Sequence, residues 1–105
     1  MNIETLDQDA WHLIRVNGEV DLNTSPKLRK AILAGIDNNS QVGVELAQAS
    51  YMDSSGVATL VEGLKRASEK KKSFALIRPS NAVTKVLQLA RLDALFDIRD
   101  TLTGD

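Results

Sequence analysis

Short apolar segments alternate with amphipathic helical patterns along most of this chain, and this alternation restricts the fold more than any other feature. Strands that alternate with helices pair in parallel through right-handed crossovers. The first two strand-like segments are close enough in sequence to form an antiparallel hairpin. The chain therefore predicts an α/β fold with a mixed sheet and helices on one face. The predicted strands are Asn2–Leu6, Trp11–Val16, Val42–Leu46, Ser73–Ile77 and a last edge strand within Leu92–Ile98.

Three helices are predicted between these strands. Thr24-Ser25-Pro26 is typical of a helix start, because Thr24 can cap the helix and proline is favoured in the first turn. The second helix starts near Asp53, and the third follows the turn Arg78–Asn81, with Ala90 among its inward residues. The second has the clearest helical spacing, i, i+3, i+4, i+7 and i+10, at Val57, Leu60, Val61, Leu64 and Ala67.

The segments between these elements are predicted from turn chemistry. Asn17-Gly18 is predicted as a turn and Ala47–Ser50 as a connection. Glu19–Asn23 is expected to carry a short extended segment before the first helix.

Length and composition predict one domain over residues 1–105, with 43% hydrophobic and 26% charged residues. The formal net charge of -1 gives no electrostatic reason to expect nucleic-acid binding. The chain has no cysteine, which excludes disulfides and thiolate chemistry. No apolar stretch approaches the ~20 residues needed to cross a bilayer, and Met1–Glu4 lacks the features of a secretory signal. We expect a complete, cytoplasmic protein without direct membrane insertion.

The tetrapeptide Asp53-Ser54-Ser55-Gly56 is the strongest functional signal. If Asp53 is the N-cap, Met52 and Val57 occupy the positions of a hydrophobic staple, and the Ser54 hydroxyl is not consumed by capping. The competing register, with Ser54 as N-cap, loses the staple, so we favour the first. A plain capped turn is the alternative interpretation. One capping residue is sufficient, so the three in a row, Asp53, Ser54 and Ser55, favour a functional interpretation.

Phosphate is the modification that suits this turn. A phosphate on Ser54 would add about -1.5 to -2 charges and three acceptor oxygens. The free N–H groups and dipole of the helix start are expected to tolerate it, whereas Asp53, and Asp21 if its loop lies nearby, would repel it. The large effect is expected on a partner packed over the turn.

Other chemistry has little support in the sequence. His12 is the only histidine, and a nucleophilic pair with Ser54 would require the two to meet in space. The Asp, Glu and His residues lack metal-ligand spacing, and the glycines form no phosphate loop. We therefore predict no catalytic residue, no metal and no cofactor.

Four segments together resemble the STAS domain, and within it the bacterial anti-sigma factor antagonists. They occur in the family's order and cover nearly the whole chain. The segments are Val16–Leu22, Tyr51–Val57 after the strand Val42–Leu46, Ile77–Val83 and Leu89–Phe96.

This resemblance implies a four- to five-stranded mixed sheet with three to four helices. It also implies a partner switch, in which the unphosphorylated protein binds an anti-sigma factor that is also a serine kinase. Phosphorylation ends the interaction and a serine phosphatase restores it. The implied phosphoacceptor is Ser54, and the implied partner-binding residues are Asp21, Asn23, Asp53, Ser54, Ser55 and Gly56.

The resemblance has two departures. Glu45 stands where the family usually has Asp, and the C-terminal helix of many antagonists is short or missing. The main alternative is a STAS accessory subunit that binds the ATPase of a lipid-transport ABC complex constitutively. A nucleotide hydrolase is a third interpretation, but the chain offers no base, metal set or phosphate loop for it.

Overall fold

Five strands and three helices alternate in the computed structural model, which describes residues 1–101. Their order is the predicted β-β-α-β-α-β-α-β. The expectation of a short or missing C-terminal helix concerns residues beyond Thr101 and lies outside this range. In chain order the elements are β1 (Asn2–Gln8), β2 (Trp11–Val20), α1 (Ser25–Asn38), β3 (Gln41–Met52), α2 (Ser54–Glu69), β4 (Ser73–Ile77), α3 (Asn81–Leu89) and β5 (Asp97–Arg99).

The strands form one mixed sheet in the order β1-β2-β3-β4-β5. β1 pairs with β2 antiparallel, and every other neighbouring pair is parallel. The mixed-sheet prediction is confirmed. The carboxyl ends of β2 and β3 therefore lie side by side at one edge, the usual position of binding sites in open α/β sheets.

β2 and β3 extend further than the sequence pattern indicates. β2 continues through Asn17 and Gly18, and β3 through Ala47–Ser50, so the predicted turn and the predicted connection are wrong. The two extensions pair with each other as far as Val20 and Met52. Two register shifts interrupt this stretch of β2 and disrupt the alternation of apolar and polar residues. Gly18, with φ +99°, permits the irregular backbone.

All three helices cover the same face of the sheet, as predicted. Burying each large apolar side chain there contributes about 1.5–3 kcal/mol. Ala90, predicted to face inward, is exposed because α3 ends before it. A smaller apolar cluster lies on the helix-free face, at Trp11, Leu13, Ala75 and Ile77. The main core includes Leu28, Ile32 and Ile36 of α1, Val57 and Leu60 of α2, Val83 and Leu87 of α3, and Ile14, Val16, Val44, Leu46 and Leu76 of the sheet.

Charged side chains join α1 to α2 at the end away from the start of α2. Asp37 contacts Arg66 and Lys70, each at 2.9 Å. Hydrogen bonds from Lys70 and then Arg66 lower the pKa of Asp37 to about 2. These groups are exposed, so the stabilisation they contribute is small, and it is lost as acid protonates Asp37.

None of the helices within residues 1–101 has the length and hydropathy needed to cross a bilayer.

Candidate functional site

The start of α2 has the register that the sequence favoured. Asp53 is the N-cap, and its Oδ1 accepts hydrogen bonds from the backbone amides of Ser55 at 2.9 Å and Gly56 at 3.3 Å. Met52 and Val57, on either side of the cap, are both buried. The hydrophobic staple therefore fixes the direction in which the chain enters α2.

Asp53 also binds the second serine of the motif. The Ser55 hydroxyl donates to Asp53 Oδ1 at 2.5 Å and is the main reason that the pKa of Asp53 is lowered. The backbone amides of Gly56, Ser55 and Leu22 lower this pKa further. Asp53 is thus a charged cap at neutral pH.

These contacts correct one expectation about a phosphate at the turn. The amides of Ser55 and Gly56 are not free, because the Asp53 carboxylate occupies both. A phosphate on Ser54 would have to displace Asp53 in order to use them. The helix start tolerates an anion chiefly by its dipole, and the nearest charged group is the repelling Asp53.

Ser54 differs from its neighbours in being exposed. It is the first residue of α2, and its hydroxyl makes no hydrogen bond within residues 1–101. The hydroxyl can therefore react or be modified without loss of a cap or a core contact.

The loop between β2 and α1 is held by its own polar side chains. Asp21 Oδ1 accepts from the backbone amides of Asn23 at 3.0 Å and Thr24 at 3.1 Å. The Thr24 hydroxyl accepts from the Asp21 amide at 2.9 Å and donates to the Glu19 carbonyl at 3.0 Å. Thr24 stands at the N-cap of α1 but makes no side-chain cap, so the predicted cap is wrong. Its hydroxyl stabilises the preceding loop instead.

The β2–α1 loop and the start of α2 meet at the carboxyl edge of the sheet. The Asp53 amide donates to the Val20 carbonyl at 3.1 Å, and β2 and β3 pair as far as Val20 and Met52. The fold therefore brings the segment of Asp21 and Asn23 beside the segment Asp53–Gly56.

Gly56 is buried and lets α2 approach the sheet closely. A Cβ at this position would lie 2.6 Å from Met52 Cγ and 2.9 Å from Val20 Cγ1. A side chain here would push the helix start away from β2 and β3.

Sequence reasoning missed two exposed apolar side chains at this edge. Leu22 is 75% exposed in the β2–α1 loop, and Tyr51 is 49% exposed near the end of β3. An apolar residue between Asp21 and Asn23 in a polar turn was the available signal for Leu22. The position of Tyr51 depended on the unpredicted extension of β3.

His12 lies far from the Ser54 turn. It pairs with Val42 near the beginning of β3, whereas Ser54 follows the end of that strand. Its Nδ1 lies 2.9 Å from Asp7 Oδ1, and its ring packs against Gly35 of α1. The fold therefore does not form a Ser54–His12 pair.

Glu45, one of the departures from the family pattern, is buried on the helix-free face. Its carboxylate accepts from Arg15 Nε at 2.9 Å and from Arg78 Nη2 at 3.3 Å. The three side chains line part of an open concavity of about 310 Å³. Glu45 thus joins β2 to the turn after β4.

Comparison with known proteins identifies the family. A model described as "Mlab, STAS domain" matches residues 5–100. The chain belongs to the STAS domain family. The STAS domain is similar to the anti-sigma-B factor antagonist of Staphylococcus epidermidis, with 29% identity over 101 residues, 95% of this chain and 94% of the relative.

Solved structures share the fold of this STAS domain. An anti-sigma factor antagonist from Mycobacterium paratuberculosis has a TM-score of 0.86 and 25% identity, over 97% of this chain and 87% of that one. The Bacillus cell fate determinant SpoIIAA, solved in its phosphorylated form, has a TM-score of 0.75 and 22% identity, over 97% of this chain and 94% of that one. The SpoIIAA likeness is evidence of a shared fold alone.

Proposed function

We propose that this STAS domain is a phosphorylation-controlled anti-sigma factor antagonist with Ser54 as its phosphoacceptor. The unphosphorylated form binds an anti-sigma factor that is also a serine kinase. Phosphorylation of Ser54 releases that partner, and a serine phosphatase reverses the step. The domain acts in the cytoplasm by binding and carries out no catalysis of its own.

The observation that carries this proposal is the exposed hydroxyl of Ser54 beside a fully engaged cap. The Asp53 carboxylate accepts from the Ser55 hydroxyl and from the backbone amides of Ser55 and Gly56, whereas the Ser54 hydroxyl takes part in none of these hydrogen bonds. A kinase can therefore modify Ser54 without unfolding the turn. The relatives named as anti-sigma-B factor antagonists support the choice of partner class.

Phosphorylation changes what the partner meets rather than how the domain folds. With two amides occupied by the charged Asp53, the phosphate remains at the surface. A partner seated on the turn would have to desolvate a double negative charge next to a carboxylate. An uncompensated charge of this kind costs about 2–5 kcal/mol at an interface.

Mapping the phosphate tests the acceptor. The purified domain, Ser54→Ala and Ser55→Ala are incubated with the cognate kinase and ATP and analysed by mass spectrometry. We expect one phosphate on the wild type and on Ser55→Ala, and none on Ser54→Ala. Phosphate on Ser55 of the wild type would contradict the proposal, because that hydroxyl is engaged with Asp53.

A second candidate function is favoured by the description of the matching family model as "Mlab". In this alternative the domain is an accessory subunit that binds the ATPase of a lipid-transport ABC complex constitutively. Binding to such an ATPase would be unchanged by Ser54→Ala and by Ser54→Asp alike, and no kinase would be required.

A further inference from the structure

Positive charge is concentrated on two of the three helices. The segments Ser25–Asn38 and Ser54–Lys72, which comprise α1, α2 and the lysines after α2, contain eight lysines and arginines but three acidic residues. The whole chain has a net charge of -1, so the remaining segments are acidic. A net charge near zero therefore conceals a strongly positive layer on one side of the domain.

Both arginines of this layer are held in bidentate ion pairs. Arg29 Nε and Nη2 each donate to the Glu62 carboxylate at 2.7 Å. Arg66 Nε and Nη2 donate to the two carboxylate oxygens of Asp37 at 3.2 Å and 2.9 Å. Because the guanidinium groups are engaged, they are less available for the specific recognition of a phosphate or a carboxylate on another molecule.

The lysines of the same layer are mostly unpaired. Lys70 pairs with Asp37, and Lys72 donates to the Ile36 carbonyl near the end of α1. Glu69, also exposed, is the one acidic side chain of α1 and α2 that has no ion pair in the part of the chain described. Four exposed lysines form no ion pair within residues 1–101 and together define the basic face: Lys27, Lys30, Lys65 and Lys71.

The packing of α1 against α2 brings these lysines to one surface. Lys27 and Lys30 are about one turn apart on the exposed side of α1, and Lys65 lies on the exposed side of α2. The two helices lie side by side on one face of the sheet, joined by the pair between Arg29 and Glu62. Their exposed sides therefore face the solvent in the same general direction.

The basic face lacks the side chains typical of a protein interface. Such interfaces are enriched in aromatic residues and arginine and depleted in lysine. The exposed large hydrophobic side chains within residues 1–101 all lie outside α1 and α2, at Leu22, Tyr51, Leu89, Leu95 and Ile98. Lysine is a point charge on a flexible stem, so the basic face fits a surface with diffuse negative charge.

Nucleic acid fits the basic face less well than a bilayer does. The face spans two adjacent helices, whose combined width is about 20 Å. The major groove of DNA is about 12 Å wide and admits a single helix. A bilayer of acidic lipids is flat and negatively charged over an area much wider than the two helices.

We propose that the basic face adsorbs this STAS domain to an anionic membrane surface. Each lysine near such a surface strengthens binding by about fivefold through attraction to the acidic headgroups. The helices lie against the headgroups without entering the bilayer, because the face carries no large apolar side chain to insert. The attachment is therefore electrostatic and reversible. This inference goes beyond the proposed function and does not depend on it.

Co-sedimentation with lipid vesicles tests the adsorption. The domain is mixed with vesicles of phosphatidylglycerol, and separately with vesicles of phosphatidylcholine, in about 100 mM sodium chloride, where the Debye length is about 10 Å. We expect sedimentation with phosphatidylglycerol alone. It should be lost in about 1 M sodium chloride, where the Debye length falls to about 3 Å.

Three double variants locate the attraction. Lys30→Gln with Lys65→Gln should weaken binding to phosphatidylglycerol vesicles by at least about tenfold. Lys30→Arg with Lys65→Arg keeps both charges and should stay within about threefold of the wild type. Asn2→Asp with Gln8→Glu lowers the net charge as much as the first variant, but on the exposed strand β1, and should also stay within about threefold. Circular dichroism checks that each variant is folded.

Several outcomes would overturn the inference. The wild type might not sediment with phosphatidylglycerol, or its binding might persist in high salt. An equal loss in the β1 variant would mean that net charge, rather than the basic face, controls binding. If the wild type binds a labelled DNA duplex as tightly as the vesicles in the same salt, the assignment to a membrane is wrong. None of these results bears on the partner switch, which titration of the Ser54 variants decides.

Discussion

Gly56→Ala tests whether the close approach of α2 to the sheet positions the Ser54 turn. The added Cβ would lie 2.6 Å from Met52 Cγ and 2.9 Å from Val20 Cγ1. Carbon atoms normally pack at about 3.5–4.0 Å, so the start of α2 or its neighbours must move by about 1 Å. Val20 is β-branched and fully buried, which leaves it little room to adjust.

Overpacking and helix propensity act in opposite directions on the stability of Gly56→Ala. Overpacking a buried site typically costs about 1–3 kcal/mol. Replacing glycine with alanine in a helix gains at most about 1 kcal/mol. We therefore expect Gly56→Ala to lower the free energy of unfolding by about 1–2 kcal/mol, and to weaken partner binding because Ser54 moves with the helix start.

Urea unfolding followed by circular dichroism measures this effect. Ala58→Gly, on the exposed side of the same turn, measures the difference in helix propensity between alanine and glycine without any steric contact. It should lower the free energy of unfolding by about 1 kcal/mol. The double variant Gly56→Ala with Met52→Ala should lose less than the sum of the single variants, because Met52 Cγ is then absent. A Gly56→Ala protein as stable as the wild type, or more stable, would refute the steric argument.

Two further predictions concern charge. Ser54→Asp should change the free energy of unfolding by no more than about 1 kcal/mol, since it places one charge at an exposed helix start; a loss of several kcal/mol in urea would mean that Ser54 is structural. The pKa of Asp37 is lowered to about 2 in the folded state, so its stabilisation is present above its unfolded pKa of about 4 and is lost as pH falls toward 2. Urea midpoints at pH 7, 4 and 3 should therefore fall less steeply for Asp37→Asn than for the wild type, and equal slopes would contradict the assignment.

The topology and the register of α2 could be predicted because they depend on local chemistry. The helical spacing from Val57 to Ala67 specifies which face is buried. Asp53 has the side chain of an N-cap, and Met52 and Val57 have those of a staple. The helical spacing, the cap and the staple all indicate the same register, so the sequence alone was sufficient to predict the start of α2.

The ends of β2 and β3 could not be predicted, because they depend on pairing between distant segments. Asn17-Gly18 has the composition of a turn, yet both residues pair with β3 in an irregular part of β2. Thr24 could cap α1, but its hydroxyl instead donates a hydrogen bond to the Glu19 carbonyl in the preceding strand. The exposure of Ser54 at the start of α2 could be predicted because it depends on the local register of the cap. The exposure of Tyr51 could not, because it depends on the extension of β3 to Met52.

The most direct test of the partner switch is calorimetric titration of the wild type, Ser54→Ala and Ser54→Asp against the same purified anti-sigma factor. Ser54→Ala should bind nearly as tightly as the wild type, because Ser54 makes no contact that the fold needs. Ser54→Asp should bind at least about 30-fold more weakly, since about 2 kcal/mol or more is lost when a charge is buried without compensation. Equal affinities for all three forms would contradict the switch and favour constitutive binding.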